Sequence, residues 1–399
     1  MLSEEKLDKY SDVLLWALKT ARKGRFRRGD IVLVRYNLAA LVMAEMLQAK
    51  LLDRGINPIL RLGMTPVMER QFYLKANSRQ LVFHPPGEKT LYGSLNGSIY
   101  LHAPESLTHL AVVEPGKISK AMIANKAFRD ILDKREAQGI FGWSLCLFPT
   151  QALARGAKLS RRQYANQVIR ACYLDRKNPV EEWKRIYKDA VAIKKWINSM
   201  DVRTLYVESD NTDLRIQPGP SRRWIGISGH NIPSFEIFLS PDWRGTEGMY
   251  YADQPSFRSG NYVEGVKITF KKGTAVSVSA KHGEPFLKKT LATDKGASRV
   301  GEFSLTDKRF SRINRFMANT LYDENYGGSH GNCHLALGSS YGDTYDGNPA
   351  KLTKALKIRL GFNDSAIHWD LVNTEDKTVT AHLNTGKKVL LYERGMFKY

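Results

Sequence analysis

Acidic residues are in short supply in this sequence. Its 399 residues include 40 Asp and Glu against 61 Lys and Arg, a formal charge of +21. Cysteine is also scarce: Cys146, Cys172 and Cys333 are the whole set. An odd, scattered trio argues against a disulfide framework and against a cysteine-type zinc site. No stretch approaches the ~20 continuous apolar residues of a membrane-spanning helix. The opening MLSEEKLDKY lacks the basic-then-apolar order of a signal peptide, so a cytoplasmic location is expected. Internal repeats, low-complexity segments and flexible linkers are likewise absent. What remains is an ordinary globular composition, 42% hydrophobic and 10% aromatic. At roughly 100–200 residues per domain, two domains are expected.

The basic excess raises the question of nucleic acid. The charges are dispersed, however, and TARKGRFRR (20–28) and KLSRR (158–162) are only local clusters. There is no zinc finger, no basic region followed by heptads and no aromatic RNA-recognition signature. Nucleic acid is therefore not expected as the principal partner, and no membrane partner is expected.

The first half alternates helix and strand. Leu7, Tyr10, Leu14, Ala17, Leu18 and Ala21 recur at helical spacing up to Gly24. Asp30–Arg35 has strand character. Asn37 is placed to cap a second helix with a stripe of Leu41, Met46 and Leu52, which Gly55 ends. Pro58–Leu62 is the next strand, so strand, helix and strand suggest a parallel crossover unit. Ser98–His102 and Leu110–Val113 would extend the same sheet. A helix is expected from Ser160 to Leu174. Another starts at Asn178-Pro179 with Glu181 in capping-box position, and Val180, Trp183, Ile186, Ala190 and Ile197 line one face. Past about residue 200 the texture becomes strand-rich. Leu205–Glu208, Leu214 with Ile216, Trp224–Ile227, Val263–Phe270, Ala275–Ser279 and Val379–Leu383 read as strands, and Lys308–Leu321 as a helix. The expected architecture is an α/β N-terminal domain over 1–200 and an α+β, strand-rich C-terminal catalytic domain over 201–399.

Most residues suited to binding a metal lie in the second half. His368 and Asp370 are two apart in AIHWDLV, and residues two apart on a strand share a face. Asp323-Glu324-Asn325 precedes a glycine-rich turn and Asn332-Cys333-His334, with Tyr341 beyond. Glu236 and Glu302 each sit beside strand-like apolar residues, where an unpaired carboxylate is costly to bury. A metal would satisfy them, and so would a lysine or arginine. Each signal alone is weak. Jointly they form an oxygen and nitrogen ligand set without thiolates, suited to zinc, cobalt or manganese.

NIPSFE, GEFSL, LYDEN…CHLALGSSY and IHWDLV, in that order, resemble the thermophilic aminopeptidase family, dinuclear metallopeptidases of the aminopeptidase T type. Trp143, Pro149-Thr150, NPVEEW at 178–183 and Thr212–Leu214 are weaker landmarks of the same resemblance, which covers nearly the whole chain. It implies that Glu236, Glu302, Glu324, His334, His368 and Asp370 hold two divalent cations, with Glu302 nearest both. It also implies Tyr341 in the active centre, peptide substrates and a homodimer. The expected chemistry is hydrolysis of the N-terminal peptide bond by a hydroxide bridged between two metals. Tyr341 would bind the oxyanion and Glu302 would shuttle the proton. Phe235, where the family usually has glycine, and a longer 324–334 stretch depart from the pattern. They motivate the alternative, an inactive relative that binds a ligand or partner; retention of all six candidate ligands weighs against it.

Overall fold

A serine followed by two glutamates opens the first helix of the computed structural model, which describes residues 2–399. Ser3 accepts a hydrogen bond from the Lys6 amide, and Glu4 and Glu5 complement the helix dipole. The helix Glu4–Ala21 buries Leu7, Tyr10, Leu14, Ala17 and Leu18, the face the spacing predicts. The chain divides into two compact units, residues 1–187 with 227–234, and 188–226 with 235–399.

The first unit is built on a five-stranded parallel sheet. From one edge its strands are Asn57–Leu62, Ile31–Tyr36, Gly97–His102, Gly142–Leu147 and the short Asn231–Ile232. Val32, Leu33, Val34, Ile99 and Leu101 are buried on its central strands, the continuous apolar burial that a parallel sheet covered by helices demands.

Three local expectations fail in this unit. Leu110–Val113 forms turns, and Leu110 and Val113 instead pack with Ile118 in a small apolar cluster. Asn37 does not cap a helix with its side chain; its Oδ1 accepts from the Ala103 amide at 2.9 Å. The second helix, Leu41–Leu52, buries Met43, Ala44, Leu47 and Leu51, leaving Leu41 and Leu52 exposed. A 23-residue helix, Pro115–Ala137, has no counterpart in the sequence reading. It buries only Ile118, Ala121 and Phe128, too sparse a stripe to show as a period. The helices Arg161–Ala171, with a full Ser160/Gln163 capping box, and Pro179–Asn198 lie where expected.

The second unit is antiparallel, as its alternating strands predict. An eight-stranded sheet includes Val202–Ser209, Asp213–Ile216, Val266–Lys271, Thr274–Ser279 and Lys377–Leu383. A four-stranded sheet runs in the order His368–Asn373, Asn332–Gly338, Val300–Thr306, Glu236–Leu239. Trp224–Ile227 forms no strand and contributes only the isolated bridge Ile225–Phe238. The expected helix over Lys308–Leu321 shrinks to Thr320–Asp323. There the Asp307 carboxylate captures the Arg309 amide, and Ala318 takes a left-handed φ of 52° that a continuing helix forbids.

Candidate metal centre

The four-stranded sheet has two unlike faces. Strand alternation sends Ile237, Leu239, Phe303, Leu305, Leu335, Leu337, Trp369 and Leu371 to one side, and all are buried. The other side carries Glu236, Glu302, Ser304, His334, His368 and Asp370. The register brings them together from distant parts of the chain. Thr306 pairs with Glu236, Ser304 with His334, Glu302 with Ala336, and Ala336 with Asp370. The backbone at Glu236 is further fixed by Gly226, at φ 138°, where a Cβ would stand 2.1 Å from the Glu236 carbonyl oxygen.

Two three-residue groups result, each able to hold a metal ion: Glu236, Glu302 and His334, and Glu302, His368 and Asp370. Glu302 belongs to both. His334 Nε2 lies 3.0 Å from Glu302 Oε1, 3.4 Å from Glu236 Oε2 and 3.7 Å from Asp370 Oδ1. His368 Nε2 lies 3.2 Å from Asp370 Oδ1 and 3.7 Å from Glu302 Oε2. His368 Nδ1 meets the Ser339 carbonyl at 2.8 Å and must donate to it, because that oxygen only accepts. Nε2 of a neutral His368 therefore presents a lone pair toward carboxylates. A hydrogen bond from the far ring nitrogen to a carbonyl is how metal-binding imidazoles are oriented.

Glu324 belongs to neither group, although it is buried and feels the charges of Glu236, Asp370 and Glu302. The motif around it divides the work. Asp323 accepts from the Met317 and Asn319 amides at 2.7 and 2.9 Å and shapes the loop. Asn325 accepts from the Phe235 amide at 2.5 Å and donates to Glu324 Oε1 at 3.5 Å. That asparagine thus links the residue before Glu236 to Glu324. Tyr341 packs its ring on His368, centroids 4.7 Å apart, and edges against Phe238.

Electrostatics show what the cluster lacks. Burial pushes Glu236 up to about 7, partly countered by the His334 charge. Burial, then the neighbouring acids, hold Glu324 well above the ordinary carboxylate range. Burial opposes charge on the two imidazoles, but the surrounding carboxylates win, raising His334 to about 9 and His368 to about 8. Asp370 is held below its ordinary range: burial opposes this, and the His368 charge and hydrogen bond, with His334 and Arg258, outweigh it. Glu302 Oε2 and His334 Nδ1 are buried with no hydrogen-bond partner among the described residues. Glu302 and Asp370 find only histidines as ion-pair partners there. Converging oxygen and nitrogen donors short of positive charge fit a divalent cation, which would displace protons from Glu236 and both imidazoles.

Sequence reading missed three supports of this face. Ser304 donates to Glu236 Oε2 at 3.3 Å, and its place two after Glu302 on a strand was the available signal. Asn325 lay inside a motif already singled out. Arg258 donates to the His368 carbonyl at 2.8 Å from a hairpin far away in sequence, and nothing in its surroundings marks it.

A parallel α/β unit joined in one chain to antiparallel sheets, one of whose faces gathers buried carboxylates and imidazoles, defines a class of protein with a candidate buried metal site. The chain belongs to the family described as Thermophilic metalloprotease (M29), whose model matches residues 3–397. It is 30% identical over 266 residues to aminopeptidase T of Thermus aquaticus, an alignment covering 64% of this chain and 62% of that protein. It is 27% identical over 270 residues to aminopeptidase AmpS of Bacillus subtilis, covering 65% and 63%. The alignments with these two relatives thus span less than two thirds of the relatives' own lengths. The fold is similar to that of wild-type AmpT from Thermus thermophilus, with a TM-score of 0.78, 21% identity, and coverage of 98% of this chain and 100% of that one. The expected pairing of a parallel α/β region with antiparallel, strand-rich sheets is borne out. No helix among the described residues is long and apolar enough to cross a membrane.

Proposed function

We propose that this chain is a metal-dependent aminopeptidase that removes residues from peptide N-termini and holds two divalent cations, zinc, cobalt or manganese. The observation that carries the proposal is the pair of ligand groups sharing Glu302. Glu236 and His334 serve one cation, and His368 and Asp370 the other. Glu302 serves both, and Glu324 supplies a further carboxylate from the loop. Cations held there supply Lewis acidity, lowering the pKa of water and polarising a carbonyl.

The chain's own groups do the rest. Glu302 is the carboxylate proposed to take the proton from the attacking water and pass it to the leaving amine. Although Tyr341 is 38% exposed, desolvation of its hydroxyl, then Glu302, Asp370, Glu324 and Glu236, push its pKa well above 10 in the metal-free chain. Its phenol hydroxyl is the donor proposed for the substrate oxyanion. Acidic groups on the same face favour the ammonium of a free peptide N-terminus, which gives exopeptidase selectivity. A homodimer is part of the proposal. It rests on the family resemblance and on the exposed apolar residues Leu38, Val42, Met64, Val67 and Met68 of the first unit.

The test is hydrolysis of aminoacyl-nitroanilides by purified protein before and after chelation. Activity that falls on chelation, returns with metal and is absent on N-acetylated substrates is expected. Metal-replete protein inactive on every aminoacyl-nitroanilide would overturn the peptidase reading.

A further inference from the structure

The basic cluster at residues 19–28 has no part in the chemistry above. Six of these ten residues are cationic, Lys19, Arg22, Lys23, Arg25, Arg27 and Arg28, and none is acidic. The fold turns this sequence cluster into a row. The segment after the first helix runs along the N-terminal edge of the parallel sheet and is tied at both ends. Gly24 donates its amide to the Gly139 carbonyl at 2.9 Å, in the turn before the strand Gly142–Leu147. Gly29 donates to the Gly55 carbonyl at 2.8 Å, in the turn before the strand Asn57–Leu62. Between these ties Phe26 turns inward, its ring against Gly97 at the start of a third strand. The segment therefore spans from one end of four adjacent strands to the other. Three strand spacings of about 4.8 Å make that about 14 Å.

Part of the positive charge here has an ordinary structural role. Helices ending at Ala21, Leu52 and Ala137 meet this edge, and cations favour helix C-termini. Lys19 sits in the last turn of the first of them. Arg54 donates to the Lys50 carbonyl, and Arg135 to the Leu95 carbonyl. Arg22 pairs with Asp30 at 2.6 Å, and Asp30 also accepts from the Arg27 amide, so the nearest loop acid is spent. Lys23, Arg25, Arg27 and Arg28 are different. All four are exposed, and their side chains make no ion pair or hydrogen bond among the described residues. The three arginines lie beyond the end of the first helix, and their guanidinium groups hydrogen-bond no helix-terminal carbonyl among the described residues. Like charges held in a row by a strapped loop repel one another, and a counter-charge of matching form relieves that cost.

We infer that this edge binds the phosphate backbone of nucleic acid, without reading its sequence, through Lys23, Arg25, Arg27 and Arg28 laid out in a row along the sheet. An extended line of unpaired guanidinium groups fits a linear polyanion better than a compact anion, and guanidinium matches phosphate geometry. No exposed aromatic stands among these residues to stack on bases, so the binding is electrostatic and salt-dependent. It needs no recognition motif, which agrees with the absence of one in the sequence.

The experiment is fluorescence anisotropy with a labelled DNA duplex of about 20 base pairs and arbitrary sequence, titrated with full-length protein at several salt concentrations. Three proteins are compared: the unaltered chain; Arg25→Ala with Arg27→Ala and Arg28→Ala; and a control of equal charge change, Arg161→Ala with Arg162→Ala and Arg170→Ala. The control arginines are exposed on a helix of the same unit. The edge variant is expected to bind at least about tenfold more weakly at low salt. Its log–log salt slope should also shrink by about 3, at about 0.9 for each phosphate that is no longer neutralised. The control is expected to stay within about twofold. Circular dichroism verifies that both variants fold. Absence of binding by the unaltered chain at low salt would overturn the inference, as would equal weakening in the two variants. Displacement of the duplex by polyglutamate at equal charge concentration would also overturn it, by pointing to an acidic protein instead.

Discussion

The parallel sheet of the first unit and the four-stranded sheet of the second use buried strands to opposite ends. In the parallel sheet Leu33 packs with Leu95 and Phe141, and Val32 and Val34 are fully buried. Burial there is a net gain, about 25 cal/mol per Å² of apolar surface. The four-stranded sheet is equally buried, yet one face holds Glu236, Glu302, His334 and Asp370, whose side chains are 1–14% exposed. Burying carboxylates without cations opposes folding. The second unit keeps that face polar at a cost in stability, and the cost is intelligible if a cation binds there. One sheet is shaped by stability, and the other carries a polar face that suits a candidate metal site.

The widest gap between the two sheets should appear with Glu302→Gln. Removing the carboxylate common to both ligand groups is expected to lower aminoacyl-nitroanilide hydrolysis by about 10³-fold or more, equivalent to about 4 kcal/mol. Metal content should fall, while chelated protein melts no earlier than the unaltered chain. Measuring rate, metal content and melting together checks all three; near-normal turnover would refute the role given to Glu302.

Leu33→Ala is the mirror experiment. It should cost about 3 kcal/mol of stability, within the usual span for a buried leucine, and leave metal affinity unchanged. Denaturant unfolding beside metal titration reads both quantities, and a parallel loss of metal would blur the contrast. Tyr341→Phe is expected to keep metal and fold but lose about a hundredfold in kcat with little change in KM, the signature of a missing oxyanion donor. Steady-state kinetics decides it. Asn325→Ala gives the smallest change, about tenfold in metal affinity, because it releases the Phe235 amide and the Glu324 carboxylate. Calorimetric titration would show it.

Legibility in the sequence followed the range of the interaction. His368 and Asp370 could be placed on one face because strand alternation needs only two positions. The first helix was readable because Leu7, Tyr10 and Leu14 all face its core. The helix Pro115–Ala137 was not, since a stripe of Ile118, Ala121 and Phe128 is too thin to register. Lys308–Leu321 misled because its apolar residues Ile313 and Met317 are buried without regular structure, while carboxylates of Asp307 and Asp323 take the backbone amides. That Glu236 should meet His334, or Glu302 meet His368, depends on strand pairing across long separations, which no local pattern encodes. For that convergence the ordered motifs supplied by resemblance were the sole guide, and for Arg258 there was none.

The most direct measurement is thermal stability of chelated and metal-loaded protein from pH 5 to 9, with metal bound per chain determined at each pH. Native Glu236, near 7, and native His334 and His368, near 9 and 8, all lie above their ordinary values of 4.5 and 6.5. Between those limits the native state holds more protons than the unfolded chain, so these groups stabilise the metal-free protein at low pH and lose that effect as pH rises. The metal-free protein should therefore weaken steadily from pH 5 to 9. Added zinc, cobalt or manganese should restore it increasingly toward high pH, as the ligands shed their protons, with two ions bound per chain. Identical melting with and without metal across that range, and no bound ion, would contradict the account.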